Sequence, residues 1–132
     1  MATRTLENGG TVLWTGAGNL GVSSGAVITN RAGALFHVQS PAGLNLSGFD
    51  SGRIDNAGTF RKSASTGTTT VENRISFNNS GTVEIQTGTL AANGGYTSAS
   101  NALLNCVLGG IAPGVGYGRL QGAGSVTLAG NL

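Results

Sequence analysis

The chain has 132 residues, the size of one domain, with 24 Gly, 2 Pro, 9% charged and 5% aromatic residues and a formal net charge of +2. So little charge, beside abundant Thr, Ser, Asn and Ala, argues against a solvated disordered tail, and Gly without a three-residue period excludes collagen. The cations Arg4, Arg31, Arg53, Arg61, Lys62, Arg74 and Arg119 are scattered, whereas a nucleic-acid partner needs them clustered, so no nucleic-acid partner is expected.

In chain order, "MATRTLENGGTVLW" contains no apolar signal core, and no segment reaches the roughly 20 apolar residues of a membrane span. Thr11–Trp14 is strand-like and is followed by a Gly-rich turn. "TNRAGALFHV" (29–38), "DNAGTFRK" (55–62) and "NNSGTVEIQTGTL" (78–90) then repeat one another. "GTLAANGG" and "GSVTLAGNL" are weaker copies. Residues 101–108 form the one candidate amphipathic helix.

Aligned on glycine, the copies place Ile28, Ile54 and Phe77 in one column, then Asn30, Asn56 and Asn79, then Gly33, Gly58 and Gly81. Spacings are 26 and 23 residues for Asn and 25 and 23 for Gly. The first copy is one residue longer at the turn. A period of this size marks a stacked-repeat architecture. Short, β-branched, Gly-bounded segments make each repeat a coil of strands. The expected fold is therefore all-β, a parallel β-solenoid filling residues 1–132 as a single domain. Roughly five to six coils of about 23–25 residues follow from the length and the period.

In that reading Ile28/Ile54/Phe77 and Leu35/Phe60/Val83 face a dry interior. Gly33, Gly58 and Gly81 turn the corner, and Asn30, Asn56 and Asn79 bond its backbone and each other. These six residues are scaffold positions, not a ligand site. The next outward column is Phe36, Arg61 and Glu84, which places Arg61 beside Glu84 as an exposed ion pair. His37, Lys62 and Ile85 follow, inward by parity. A buried Lys62 would be costly, so the strand is expected to end at Arg61 or Lys62 to lie at the rim with its head in water.

Residues able to carry chemistry are few. Cys106, the single cysteine, rules out an intrachain disulfide and has no base or cation beside it in sequence, so it is read as a packed apolar residue. The best carboxylate pair is Asp50 and Asp55, with Arg53 between them. A glycosidase would need the pair across a common groove, and nothing in the spacing fixes that. His37 has no partner at metal-ligand or triad spacing. The Gly pairs lack the Lys-Ser/Thr of a phosphate loop. Catalytic, metal and cofactor sites are accordingly expected to be absent. Thr68/Thr70 and Thr87/Thr89 suggest an alternative, a flat Thr-bearing face for ice or glycan, although their 19-residue offset departs from the Asn–Gly period.

The stretches "NAGTFRKSASTGTTTV", "FNNSGTVEIQTGTLAANGG" and "IAPGVGYGRLQGAGSVTLAG" resemble the passenger repeats of bacterial surface β-helix proteins, the autotransporter-like and filamentous-haemagglutinin-like adhesins. The resemblance covers residues 25–95 and 111–132, and "YTSASNALLNCVLGG" departs from it. It implies a right-handed parallel β-helix at the cell surface or outside the cell, serving as stalk, adhesin or matrix component. A surface glycan or host ligand is the implied partner. A polysaccharide-active β-helix enzyme is a further alternative. Open solenoid ends expose unpaired strand edges, so head-to-tail self-association into filaments is expected. "SVTLAGNL" stops inside a strand-like pattern, and the chain is read as a candidate segment of a longer repeat protein whose signal lies outside it.

Overall fold

A computed structural model describes residues 4–112 and 115–131. All its regular structure is β. The strands form three parallel sheets, each visited once per coil. The first face carries β1 (Thr5–Asn8), β4 (Ala26–Asn30), β7 (Gly52–Asn56), β10 (Ile75–Asn79), β13 (Tyr96–Ser98) and β16 (Val126–Leu128). On the second lie β2 (Thr11–Trp14), β5 (Leu35–Val38), β8 (Thr59–Lys62), β11 (Thr82–Ile85) and β14 (Leu103–Cys106). The third holds β3 (Leu20–Val22), β6 (Leu44–Leu46), β9 (Thr68–Val71), β12 (Thr89–Ala92) and β15 (Arg119–Gln121). The chain is a β-solenoid.

Its coils are less uniform than the sequence suggests. Along the first face Thr5 pairs with Val27, Ala26 with Gly52, Gly52 with Ile75, Phe77 with Tyr96, and Tyr96 with Val126. About four coils therefore follow the 19–26-residue spacing, fewer than the expected five or six. The next is lengthened to 30 residues by the segment between β14 and β15. Pro113 and Gly114 of the "IAPGVGYG" run lie outside the described residues. The candidate helix at 101–108 is instead strand β14, paired with β11 from Leu103 to Cys106. "YTSASNALLNC" thus continues the stack.

Alternation places every second residue inside. Ile28, Ile54, Phe77 and Tyr96 stack in one buried column, as the repeat alignment requires. Aromatic rings run through the core from Trp14 to Phe36, Phe60, Phe77 and Tyr96, with centroids 5.0–6.5 Å apart. Phe36 and Phe60 lie stacked at 7°, whereas Phe60 meets Phe77 edge to face at 83°.

The second face corrects the alignment by one residue. Phe36, not Leu35, sits opposite Phe60 and Val83, and His37, not Phe36, opposite Arg61 and Glu84. Between Asn30 and β5 the corner has two extra residues relative to the Asn56 and Asn79 corners, not one. Ala34 thus occupies the level of Gly58 and Gly81, accepting the Thr59 N–H as Gly58 accepts that of Thr82. Gly33 lies within the enlarged turn, at φ +81°.

Candidate functional site

The corner between the first and second faces carries a polar ladder that repeats from coil to coil. At the end of β1, β4, β7 and β10 stand Asn8, Asn30, Asn56 and Asn79, all buried. Each amide donates to the next coil. Asn8 Nδ2 lies 2.8 Å from Asn30 Oδ1, Asn30 Nδ2 2.7 Å from Asn56 Oδ1, and Asn56 Nδ2 2.8 Å from Asn79 Oδ1. The second N–H of each reaches a backbone carbonyl of the following coil: Leu35 from Asn8, Thr59 from Asn30 and Thr82 from Asn56, at 2.9–3.0 Å. At two corners the same side chain's Oδ1 also accepts the turn amide, of Gly10 from Asn8 and Gly81 from Asn79.

Asparagine fits this position because its amide has two donors and an oxygen with two lone pairs. A carboxylate lacks the donors and a hydroxyl has one. Asn79 ends the ladder by donating to the Tyr96 hydroxyl at 3.1 Å, and Ser98 takes the next level. Burial pushes the Tyr96 phenol above its ordinary range, against hydrogen bonds from Asn79 and Ser98.

Asn30, Asn56 and Asn79 therefore come together as the repeat alignment placed them. Gly58 and Gly81 share one level, but neither needs positive φ. A Cβ on Gly58 would strike the carbonyl oxygens of Arg31 and Ala34, and one on Gly81 those of Gly58 and Ala57. They are glycines because the neighbouring coil leaves no room. Gly33 alone serves through its left-handed backbone. Asn8 was missed, although "LENGG" carries the same apolar-x-Asn-x-Gly signal.

Lys62 is the main surprise of the interior. It ends β8, stacks between Val38 and Ile85, and is 0% exposed. Neither sequence-based expectation holds, because the strand continues through it and its ammonium does not reach water. Its Nζ lies 3.5 Å from the Ser40 carbonyl oxygen, which also accepts the Thr69 hydroxyl at 2.9 Å. Burial lowers its pKa from the usual lysine value. The long methylene stem fills the column as an aliphatic residue would.

On the second face's outer side, Arg61 Nε meets Glu84 Oε2 at 2.7 Å, the expected ion pair, with both side chains partly shielded. A Gln86 hydrogen bond and Arg61 hold Glu84 below the ordinary carboxylate range. His37 bonds Ser63 Oγ through Nε2 at 2.7 Å. Desolvation and Arg61 lower its pKa.

Asp50 and Asp55 are engaged separately. Ser24 Oγ bonds Asp50 at 3.1 Å, while Arg53 Nε and Asn78 Nδ2 bond Asp55 at 2.7 and 2.9 Å. Cys106 is a free, half-buried thiol whose pKa burial raises, which leaves little thiolate. Among the described residues no three His, Cys, Asp or Glu side chains gather at metal-binding distance. Thr68 pairs with Thr89 and Thr70 with Ala91, and both Thr69 and Thr89 are buried. The threonines of the third face thus do not repeat as an outward pair in each coil.

The two ends of the stack form the second feature. Among the described residues β1 and β16 each pair on one side only. On β16, Val126 and Leu128 continue the inward columns above Tyr96 and Ser98, yet are 44% and 46% exposed. At the opposite end Leu6, Val12, Trp14 and Leu20 are incompletely covered. Compared with known protein families, curated protein sequences and solved structures, the chain matches none.

Proposed function

We propose that this chain is a structural, non-catalytic β-solenoid, a stalk, adhesin or matrix segment of a bacterial cell-surface or extracellular protein, whose coils associate end to end. The observation that carries the reading is the half-exposed Val126 and Leu128 on a strand that, among the described residues, pairs along one edge only. All strands of the first face run parallel, so a second copy placed on β16 with its β1 would extend the same ladder in the same direction. The inward columns would then continue, with Leu6 of the second copy over Val126 and its Asn8 over Leu128. Such a contact joins two different surfaces of identical molecules and propagates as a filament.

The interior supports a scaffold role. Its working parts are repeated hydrogen bonds and stacked rings that gain strength from neighbouring coils. Light scattering on a sizing column, with negative-stain microscopy of the same fractions, tests the proposal. Uniform fibres one solenoid wide are expected. A strictly monomeric species at every concentration refutes end-to-end association.

A further inference from the structure

The outward side of the first face carries a polar column that the coil-to-coil ladders leave largely unused. Thr29, Asp55, Asn78 and Thr97 stand in register on β4, β7, β10 and β13, one coil step of about 4.8 Å apart. Beside them, at the asparagine corner, Ala57, Ser80 and Ala99 help to wall an open groove of about 450 Å³.

Asp55 is fixed in this groove by Arg53 Nε at 2.7 Å and Asn78 Nδ2 at 2.9 Å. Each of its oxygens accepts one of these bonds and has a second lone pair. Asn78 keeps its carbonyl oxygen and one N–H, and the Thr29 and Thr97 hydroxyls have no side-chain partner among the described residues. The column therefore offers a carboxylate, an amide and two hydroxyls in register, with hydrogen-bonding capacity left over.

We propose that this groove binds a neutral polysaccharide lying along the axis of the stack. Adjacent sugar hydroxyls donate to one group and accept from the next, which is what a carboxylate beside an amide provides. The methyl groups of Ala57 and Ala99 give the C–H faces of the sugars an apolar strip. Arg53 pairs with Asp55, so the groove carries no net cation to draw an acidic chain, and its hydrogen-bonding groups suit an uncharged one. Among the described residues no aromatic ring lines it. Each sugar is held by hydrogen bonds alone, and affinity accumulates with the number of rungs engaged.

Calorimetry on the full chain with glucose, a cellohexaose fragment, mannan and dextran tests the proposal, with amide hydrogen exchange to locate the contact. Binding is expected to strengthen from monosaccharide to polysaccharide, with protection centred on Thr29, Asp55, Asn78 and Thr97. Asn78→Leu removes a rung and Ala57→Arg fills the groove from an exposed position without removing one. Each should weaken binding by about tenfold, through the loss of the Asn78 amide's hydrogen bonds to the sugar or the loss of access. Thr70→Ala, on the third face, should bind as the parent does. Matching circular dichroism would show that the variants fold. No binding by any of these probes, protection on another face, or unchanged affinity in both groove variants overturns the proposal. Such a result would leave end-to-end assembly untouched, because the groove lies on the flank.

Discussion

Asn56 sits at the centre of the asparagine ladder, and its removal should cost far more than that of Asn8 at the ladder's end. Asn56 accepts from Asn30 and donates to Asn79, Thr82 and Gly58. Asn56→Ala leaves one Asn30 N–H and one Asn79 lone pair without partners inside the corner. Each such group costs about 1–3 kcal/mol, so a loss of roughly 2–6 kcal/mol is expected. That is a large part of the roughly 5–15 kcal/mol by which a domain of this size is stable. Asn8 bonds a single neighbouring side chain, and Asn8→Ala should cost about 1–2 kcal/mol.

Asn56→Asp separates hydrogen bonding from packing. The carboxylate can still accept from Asn30, but it presents lone pairs to Asn79 Oδ1 and the Thr82 carbonyl with nothing to donate. It is therefore predicted to be worse than Asn56→Ala at neutral pH. Burial and acceptor neighbours raise a carboxyl pKa in the folded state. The folded state then favours the protonated form, and the deficit should grow as pH rises through and above the ordinary aspartate value of about 3.9. Urea unfolding followed by circular dichroism and by Trp14 emission reads these differences. Equal, small effects for Asn56→Ala and Asn8→Ala, or a pH-independent Asn56→Asp, would refute the reasoning.

Lys62→Met keeps the stem and removes the poorly bonded amine. It should stabilise the protein by about 1–3 kcal/mol at neutral pH, the cost of burying a polar group without a good partner. The folded-state pKa of Lys62 is lowered, so its stability deficit is absent above the usual value of 10.5 and grows as pH falls below it. The advantage of Lys62→Met, measured by urea midpoint, should accordingly shrink toward pH 10.5; an equal gain at both pH values counts against it. Gly58→Ala should cost about 1–3 kcal/mol, because the new methyl drives into the Arg31 and Ala34 carbonyls. Gly10→Ala, the same corner at the open end with nothing within 4 Å, should change thermal stability by no more than about 0.5 kcal/mol.

The asparagine ladder and the column of Ile28, Ile54 and Phe77 were legible because each coil must turn one corner at one place, and the demand reappears as the same residues. The second face was misread because the glycine used as an anchor in the first copy is not the counterpart of the other two. Two extra residues after Asn30 move the strand along, and in a strand a one-residue error exchanges the two faces. Leu35 was thus placed inside where Phe36 belongs. The apolar run at 101–108 has no periodicity that separates a short buried strand from a helix turn. The free edge of β11 decides it, since pairing there satisfies four residues of β14 at once.

The sequence by itself determined that this chain is a parallel β-solenoid, where its principal corner falls, and that Arg61 and Glu84 meet. Those features are periodic, and periodicity is written along the chain. Tertiary structure alone decided the register of the second face, the burial of Lys62 and the gathering of Asp55 and Asn78 beside the corner. Each of these depends on which residue of one coil lies over which residue of the next. That is fixed by packing residues some twenty positions apart, and it shifts with every residue added to a turn.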